Sequence, residues 1–189
     1  MSQTEMDRLK EALQRQWPGN PGDKAKRYIG RFFNETRLGT KITAQVVGNH
    51  GTYTVSIRAD AQGVTSACSC YIGKRGYCHH CAALATTFLN DPASFREIKT
   101  KPLAALQELA ELPEYLPSVT LDELLQELKK HGISQKAFAE GIGMSSRHLS
   151  AVKSSERRNH FYHELGATKL ACVWVLERFG EAGLERTGR

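Results

Sequence analysis

Four of the chain's five cysteines fall within fourteen residues, as Cys68-Ser69-Cys70 and then Cys78-His79-His80-Cys81. Side chains that share one ion must converge in space, so this cluster limits the fold more than any other feature. A cell interior keeps thiols reduced, and such a cluster there reads as a metal site in preference to disulfides. Alternate residues of a strand point the same way, so Cys68 and Cys70 can grip one ion from a strand end. Cys78 and His80 would come from the loop entering a helix. Three thiolates and one imidazole make a closed tetrahedral set, the usual coordination of structural zinc, Zn2+. Two alternatives stand beside it: a reduced cysteine cluster without metal, and a catalytic zinc. The second is the weaker, because catalytic sites keep a position for water and commonly use His or carboxylate ligands.

The pattern Cys-x-Cys, spacer, Cys-x-His, carried by Cys68, Cys70, Cys78 and His80, resembles the SWIM-type zinc finger family over roughly residues 24–90. Tyr71 stands where that family often has proline. The resemblance implies a strand hairpin before the ligands, a helix after them, and a module that binds nucleic acid or protein. His79 and Cys81 are spare donors. Cys81, Leu84, Ala85 and Phe88 follow helical spacing, which makes Cys81 a buried small hydrophobe more readily than a ligand. His79 reads as a solvated loop residue before a substitute ligand.

Charge separates the two halves of the chain. The whole carries +6, and all of it lies in residues 1–100; residues 101–189 are neutral. The balance suits an anionic partner. Within the neutral half, residues 101–127 are acidic, whereas 145–169 gather Arg147, Lys153, Arg157, Arg158 and Lys169 against Glu156 and Glu164. A local basic face is therefore expected. The polar N-terminus lacks the apolar core of a signal peptide, and no apolar run approaches a membrane span. The expectation is a cytoplasmic protein, nucleoid-associated if bacterial, with no membrane partner.

Along the chain, Met6, Leu9 and Leu13 form one stripe of a helix over 2–17, with Ser2 and Glu5 spaced as a capping box. Packing on its own domain is its commoner use, and docking to a partner the rarer. Pro18 to Gly22 breaks the chain. Residues 24–35 set Tyr28, Ile29, Phe32 and Phe33 at helical spacing among Lys24, Lys26, Arg27 and Arg31. Such a mixture can touch nucleic acid, though aromatics of this kind are more often core. Ile42, Ala44 and Val46, then Tyr53, Val55 and Ile57, alternate around Gly48-Asn49-His50-Gly51, a β-hairpin signal. Asp60 to Gly63 makes another turn, and a third strand runs to the cysteines. Leu103, Leu106, Leu109 and Leu112 predict a helix over 102–112. Pro113 and Pro117 bracket a linker over 113–119, where the domain boundary is placed.

Thr120 with Glu123 again fits a capping box before the apolar face Leu121, Leu124, Leu125 and Leu128. Ser134 caps the next helix, Gly143 permits a turn with positive φ, and Ser145 caps a third helix. Helix, glycine turn, helix is the helix-turn-helix arrangement. The segment Ser134–Val152 resembles the Cro/λ-repressor-like (XRE) helix-turn-helix family, through Ala139, Gly143, Leu149 and Val152, and the resemblance covers roughly 119–180. It departs from the family at Gly141, inside the first helix of the pair, and at Lys153-Ser154-Ser155-Glu156, which lacks the usual Glu-x-Gly. The resemblance implies double-stranded DNA as partner. Ser146, Arg147 and Ser150 would face base edges in the major groove, Arg147 foremost because its fork matches guanine. Gln135 resembles the family's phosphate-contacting glutamine, and Lys153, Arg157 and Arg158 would hold the backbone. For each, a solvated surface side chain is the competing reading. His160 and His163 are three apart but lack further ligands nearby, so surface histidines are the simpler reading. A last helix carries Leu170, Ala171, Val173, Trp174 and Leu176, enough apolar surface for a core or a dimer interface, with Cys172 a packed thiol.

These readings predict an α+β chain: an N-terminal helix and linker over 1–22, a SWIM-like zinc-bound sheet with helices over 23–112, an all-α helix-turn-helix domain over 120–180 and a tail over 181–189. The expected function is zinc binding and duplex DNA binding in transcription regulation, as a possible homodimer on palindromic sites. An accessory subunit of a recombination, transposition or repair complex, with the SWIM-like module taking a protein partner, is the alternative. An enzyme is disfavoured, since no paired-carboxylate motif, phosphate loop or nucleophile elbow is present.

Overall fold

The computed structural model describes residues 3–73, 77–99, 106, 108–160 and 164–179. The chain divides into two units, Met1–Ile98 with Arg158–Phe161, and Lys99–Arg157 with Tyr162–Arg189. Among the described residues there are eight α-helices and one five-stranded sheet, so the fold class is α+β. None of these helices is long and apolar enough to cross a membrane.

The first unit is built on the alternation seen in the sequence. β1 (Phe33–Leu38), β2 (Lys41–Gly48), β3 (Gly51–Asp60), β4 (Gly63–Cys68) and β5 (Arg96–Glu97) lie in the order β4-β3-β2-β1-β5. Ile42 pairs with Ile57 and Ala44 with Val55 across antiparallel strands, so all four point to one face. That face is buried under α1 (Gln3–Gln16) and α3 (His79–Asn90), which pack on β3 and β4. Leu9 and Leu13 of α1, and Leu84 and Phe88 of α3, are sealed from solvent. Each such side chain contributes about 1.5–3 kcal/mol relative to exposure. The α1 cap expected at Ser2 lies outside the described residues.

Residues 24–35 are not one helix. Only α2 (Asp23–Lys26) is helical; Gly30, at φ +69°, ends the following turn, and the chain enters β1. Phe32 is buried while Phe33 is 39% exposed, a strand's alternation. The physical reason is the sheet itself: β2 needs a partner on its second edge, and β1 pairs there through Arg37 with Ile42 and Leu38 with Lys41. A short parallel strand, β5, then covers β1 through Thr36 and Arg96.

Among the described residues the second unit holds five helices: α4 (Leu112–Ser118), α5 (Leu121–Lys130), α6 (Gln135–Gly141), α7 (Ser146–Arg157) and α8 (Leu165–Phe179). The expected linker over 113–119 is occupied by α4, where Pro113 sits at the tolerated first turn and Tyr115 is buried. The helix expected over 102–112 falls largely outside the described residues, and Leu109–Glu111 forms a 3-10 turn. The capping box at α5 is complete: Thr120 Oγ1 accepts from Glu123 N–H at 3.1 Å, and Thr120 N–H donates back to the Glu123 carboxylate at 2.6 Å. Leu121, Leu124, Leu125 and Leu128 are buried with Phe138, Ala139, Leu149, Val152, Cys172, Val173 and Leu176.

Candidate metal centre and nucleic-acid face

Cys68 ends β4, Cys70 lies two residues beyond, and Cys78 and His80 open α3. The sheet register puts Cys68 opposite Val55, at the edge of the buried face, and α3 packs against that strand. All four side chains are buried and their ligand atoms lie within 4.8 Å of one another. His80 Nδ1 is 3.7 Å from both Cys68 Sγ and Cys78 Sγ. A tetrahedral ion with zinc-like bonds sets its sulfur and nitrogen ligands about 3.6 Å apart, so the set fits such an ion with little movement. Cys68, Cys70, Cys78 and His80 can therefore hold a metal ion.

The backbone around the sulfurs is shaped for the same task. Gly73 N–H donates to Cys70 Sγ at 3.2 Å, and Cys70 N–H to Cys68 Sγ at 3.5 Å. A Cβ on Gly73 would stand 2.4 Å from Cys68 Cβ, 2.9 Å from Cys78 Sγ and 3.0 Å from Cys70 Sγ, so only glycine fits there. Tyr77 precedes the second ligand pair at φ +61°, a region a bulky residue rarely occupies. Its N–H donates to Ser66 Oγ at 3.2 Å, which holds the strained residue against β4. Neither Gly73 nor Tyr77 stands out in the sequence. A glycine inside the ligand spacer is the one signal that points toward the first; nothing points to the second.

Electrostatics single out Cys78. Its interactions with the thiols of Cys68 and Cys81, the latter's sulfur 3.7 Å away, hold it well below an ordinary thiol. The same contacts push Cys68 and Cys81 up, with burial adding to both, and burial raises Cys70. A bound cation reverses this for its ligands, since a coordinating thiol is deprotonated outright. Cys81 is sealed in the core beside Leu84 and Phe88, outside the four-atom cluster. His79 packs against Tyr28 and His80, and burial lowers its pKa.

In the second unit, α6 and α7 meet at a glycine turn. Gly143 sits at φ +71°; its N–H bonds Glu140 carbonyl at 3.1 Å and Met144 N–H bonds Ala139 carbonyl at 2.8 Å. That pair of bonds is the Schellman helix end. Ala139, Leu149 and Val152 are fully buried where the two helices cross. Ser145 Oγ accepts from His148 N–H at 3.1 Å and so caps α7. Arg147 and Ser150 are left exposed and Ser146 half-buried on the first turns of α7. Gln135 Nε2 donates to Ser150 Oγ at 3.2 Å, and that hydroxyl donates to Ser146 carbonyl at 2.9 Å, so three of the expected contact residues share one patch.

Other expected cations are placed differently. Lys153 pairs with Asp122 at 3.0 Å, a partly exposed pair worth ~0–1 kcal/mol. Arg157 and Arg158 are exposed, and Arg158 falls with the first unit. Lys169 is no part of a basic face. It is 4% exposed, with its ammonium 2.6 Å from Glu156 and donating to the carbonyls of Leu116 at 2.8 Å and Val119 at 2.6 Å. Glu156 also accepts the N–H of Leu121 at 2.7 Å. Helical spacing hides this pair, because a lysine on an apolar helix and a glutamate at the end of another read as surface. His163 lies outside the described residues. No protein-family model matches this chain, and neither a curated protein nor a solved structure matches it.

Proposed function

We propose that this protein binds zinc through Cys68, Cys70, Cys78 and His80 and reads duplex DNA through α6 and α7, acting in transcription regulation. The observation that carries the DNA reading is the α6–α7 crossing. A Schellman end at Gly143 and the sealed Ala139 bring the helices together and leave Arg147 and Ser150 outward at the start of α7. A recognition helix presents that end to base edges, and Gln135, tied to Ser150, supports the reading as the residue that resembles the family's phosphate-contacting glutamine. The likeness of Ser134–Val152 to the XRE family, and of the ligand spacing to the SWIM family, supports the same reading. The donor chemistry favours zinc: three thiolates and an imidazole suit it, and a closed set leaves no water position for catalysis. Zinc here holds Cys68, Cys70 and the start of α3 together and performs no reaction.

Selection of bound duplexes from a random library tests the reading, with the intact protein and Arg147→Ala compared at one salt concentration. The expected result is a defined motif that degrades at particular bases in the variant, by ~1–3 kcal/mol per lost contact. Recovery without sequence preference, unchanged by the substitution, overturns it. An accessory subunit of a larger DNA-processing complex is the second reading. It is favoured by α8, where Trp174 is 53% exposed and Leu170 and Phe179 are also exposed, apolar surface suited to a protein partner.

A further inference from the structure

The first unit carries a pocket that the duplex reading does not use. It is about 230 Å³, below the ~300–1,000 Å³ of drug-sized sites, and so has room for one small flat group. Its walls are rings: Tyr28 stacks on His79 at 5.5 Å and meets His80 edge-on at 4.5 Å, and Tyr53 lies 5.0 Å from His80. The Tyr53 ring is held by β3, lying over Gly48 where any side chain would collide with it. Tyr71, 94% exposed, and Asn49 also line it.

The floor of the pocket is unusual. His80 is 3% exposed, its Nδ1 faces the sulfurs, and its Nε2 is buried with no hydrogen-bond partner among the described residues. With Nδ1 serving as a ligand, Nε2 carries the hydrogen and is a donor. A metal-binding histidine almost always gives that hydrogen to an acceptor, and a buried donor left unpaired is unfavourable. His80 lines the pocket, but this nitrogen is sealed from water, so an acceptor completes it only as the ring wall gives way.

We propose that this pocket takes one unstacked base of a single-stranded nucleic acid. A base offers what the site lacks and fits what it has: flat faces for the tyrosine and histidine rings, and ring or carbonyl acceptors for the buried N–H. Asn49 can read a base edge with its amide. Lys24, Arg27 and Arg31 are exposed on the segment that carries Tyr28, in the half of the chain that holds the whole net positive charge, and supply charge that suits the strand's phosphates. An apolar peptide would leave the floor donor unsatisfied and these charges unused.

The test uses the full-length, zinc-loaded protein. Fluorescence anisotropy follows a labelled short single strand and, separately, its duplex, for the intact protein, Tyr28→Ala and Tyr71→Ala, with bound zinc measured in each. Both substitutions are expected to weaken single-strand binding roughly 5- to 100-fold, the range for loss of one base–aromatic stack, and to leave duplex binding and zinc content unchanged. Because Tyr71 is almost wholly exposed, its variant decides the matter even if Tyr28→Ala loses metal. Single-strand affinity unchanged in Tyr71→Ala overturns the proposal, as does single-strand binding abolished by Arg147→Ala, which places it on the helical unit. Displacement of the strand by free nucleotides is expected at the same pocket; displacement by an unrelated acidic peptide instead overturns the base assignment. Loss of duplex selection with single-strand binding intact sinks the duplex reading alone.

Discussion

The two units hold small cores together by different means. In the first, the sulfurs of Cys68, Cys70, Cys78 and Cys81 belong to the same buried cluster as Leu9, Ile42, Val55 and Phe88. Three sulfurs that can hold an ion, and the Cys81 thiol beside them, are thus part of the core. In the second, the core is mainly aliphatic and aromatic, with Cys172, Ser155 and Thr168 also buried, and the pair Lys169 with Glu156 joins α8 and α7 to the carbonyls ending α4 and the N–H opening α5. If an ion sits among Cys68, Cys70, Cys78 and His80, stability in the first unit depends on it, whereas in the second it rests on packing with the Lys169–Glu156 pair. The protein carries one tryptophan in each, Trp17 and Trp174, so each unit can be followed by its own fluorescence.

Metal removal is the largest way to break this contrast. Metal binding in zinc-finger peptides is worth ~10–16 kcal/mol, apparent and pH-dependent, and that energy is folding energy where no preformed site survives without it. A chelator, or Cys78→Ser, is expected to strip hydrogen-exchange protection from β4 and the first turns of α3 while leaving the amides of α5 and α7 unchanged. Equal loss in both units would mean that the helical unit also depends on the ion, and the comparison would fail.

Lys169→Met is the matching break in the second unit. It leaves the Glu156 carboxylate buried without its cation and two carbonyls without a donor. Removing one partner of a buried pair typically costs 3–5 kcal/mol, so roughly that loss is expected in urea unfolding read by Trp174 in a Trp17→Phe background. Zinc content and Trp17 fluorescence, measured with Trp174→Phe, should not move. A change below ~1 kcal/mol would show that Lys169 is solvated and that packing alone sustains this unit.

How much of this was legible in the sequence follows the same division. The ligand set reads directly, because thiolates and imidazole at that spacing have few other uses, and the structure gathers those four residues. The hairpin Ile42–Ile57 reads because period-two alternation marks a half-buried sheet. Capping at Thr120, Ser134 and Ser145 reads because the bonds are local. Strand β1 does not read: Tyr28, Ile29, Phe32 and Phe33 satisfy helical spacing, and only the distant need of β2 for an edge partner decides otherwise. Nor does α4, whose prolines signal a break although Pro113 sits where a helix tolerates it. The pair Lys169–Glu156, thirteen residues apart in the sequence and on separate helices, leaves no local trace. Local chemistry is written in the sequence, and what the sheet or a crossing helix imposes from afar is not.

Two glycines sharpen the contrast at the smallest scale. At Gly73 the atoms an added Cβ would meet are a ligand's Cβ and two ligand sulfurs, none of which can retreat without moving the metal site. Gly73→Ala is expected to cost about 1–3 kcal/mol of overpacking, read as weaker zinc affinity in competition with a chromogenic chelator. At Gly141, on the last turn of α6, an added Cβ meets nothing within 4 Å and the backbone is not left-handed. There the glycine only adds freedom to the unfolded chain, so Gly141→Ala should stabilise the second unit by ~0.4–1 kcal/mol in the same urea measurement with Trp174. The first unit is thus expected to lose from a methyl group at its glycine, and the helical unit to gain from one. Destabilisation at Gly141 would show instead that the α6–α7 turn depends on that glycine's backbone, and that the departure from the helix-turn-helix pattern there is structural in origin.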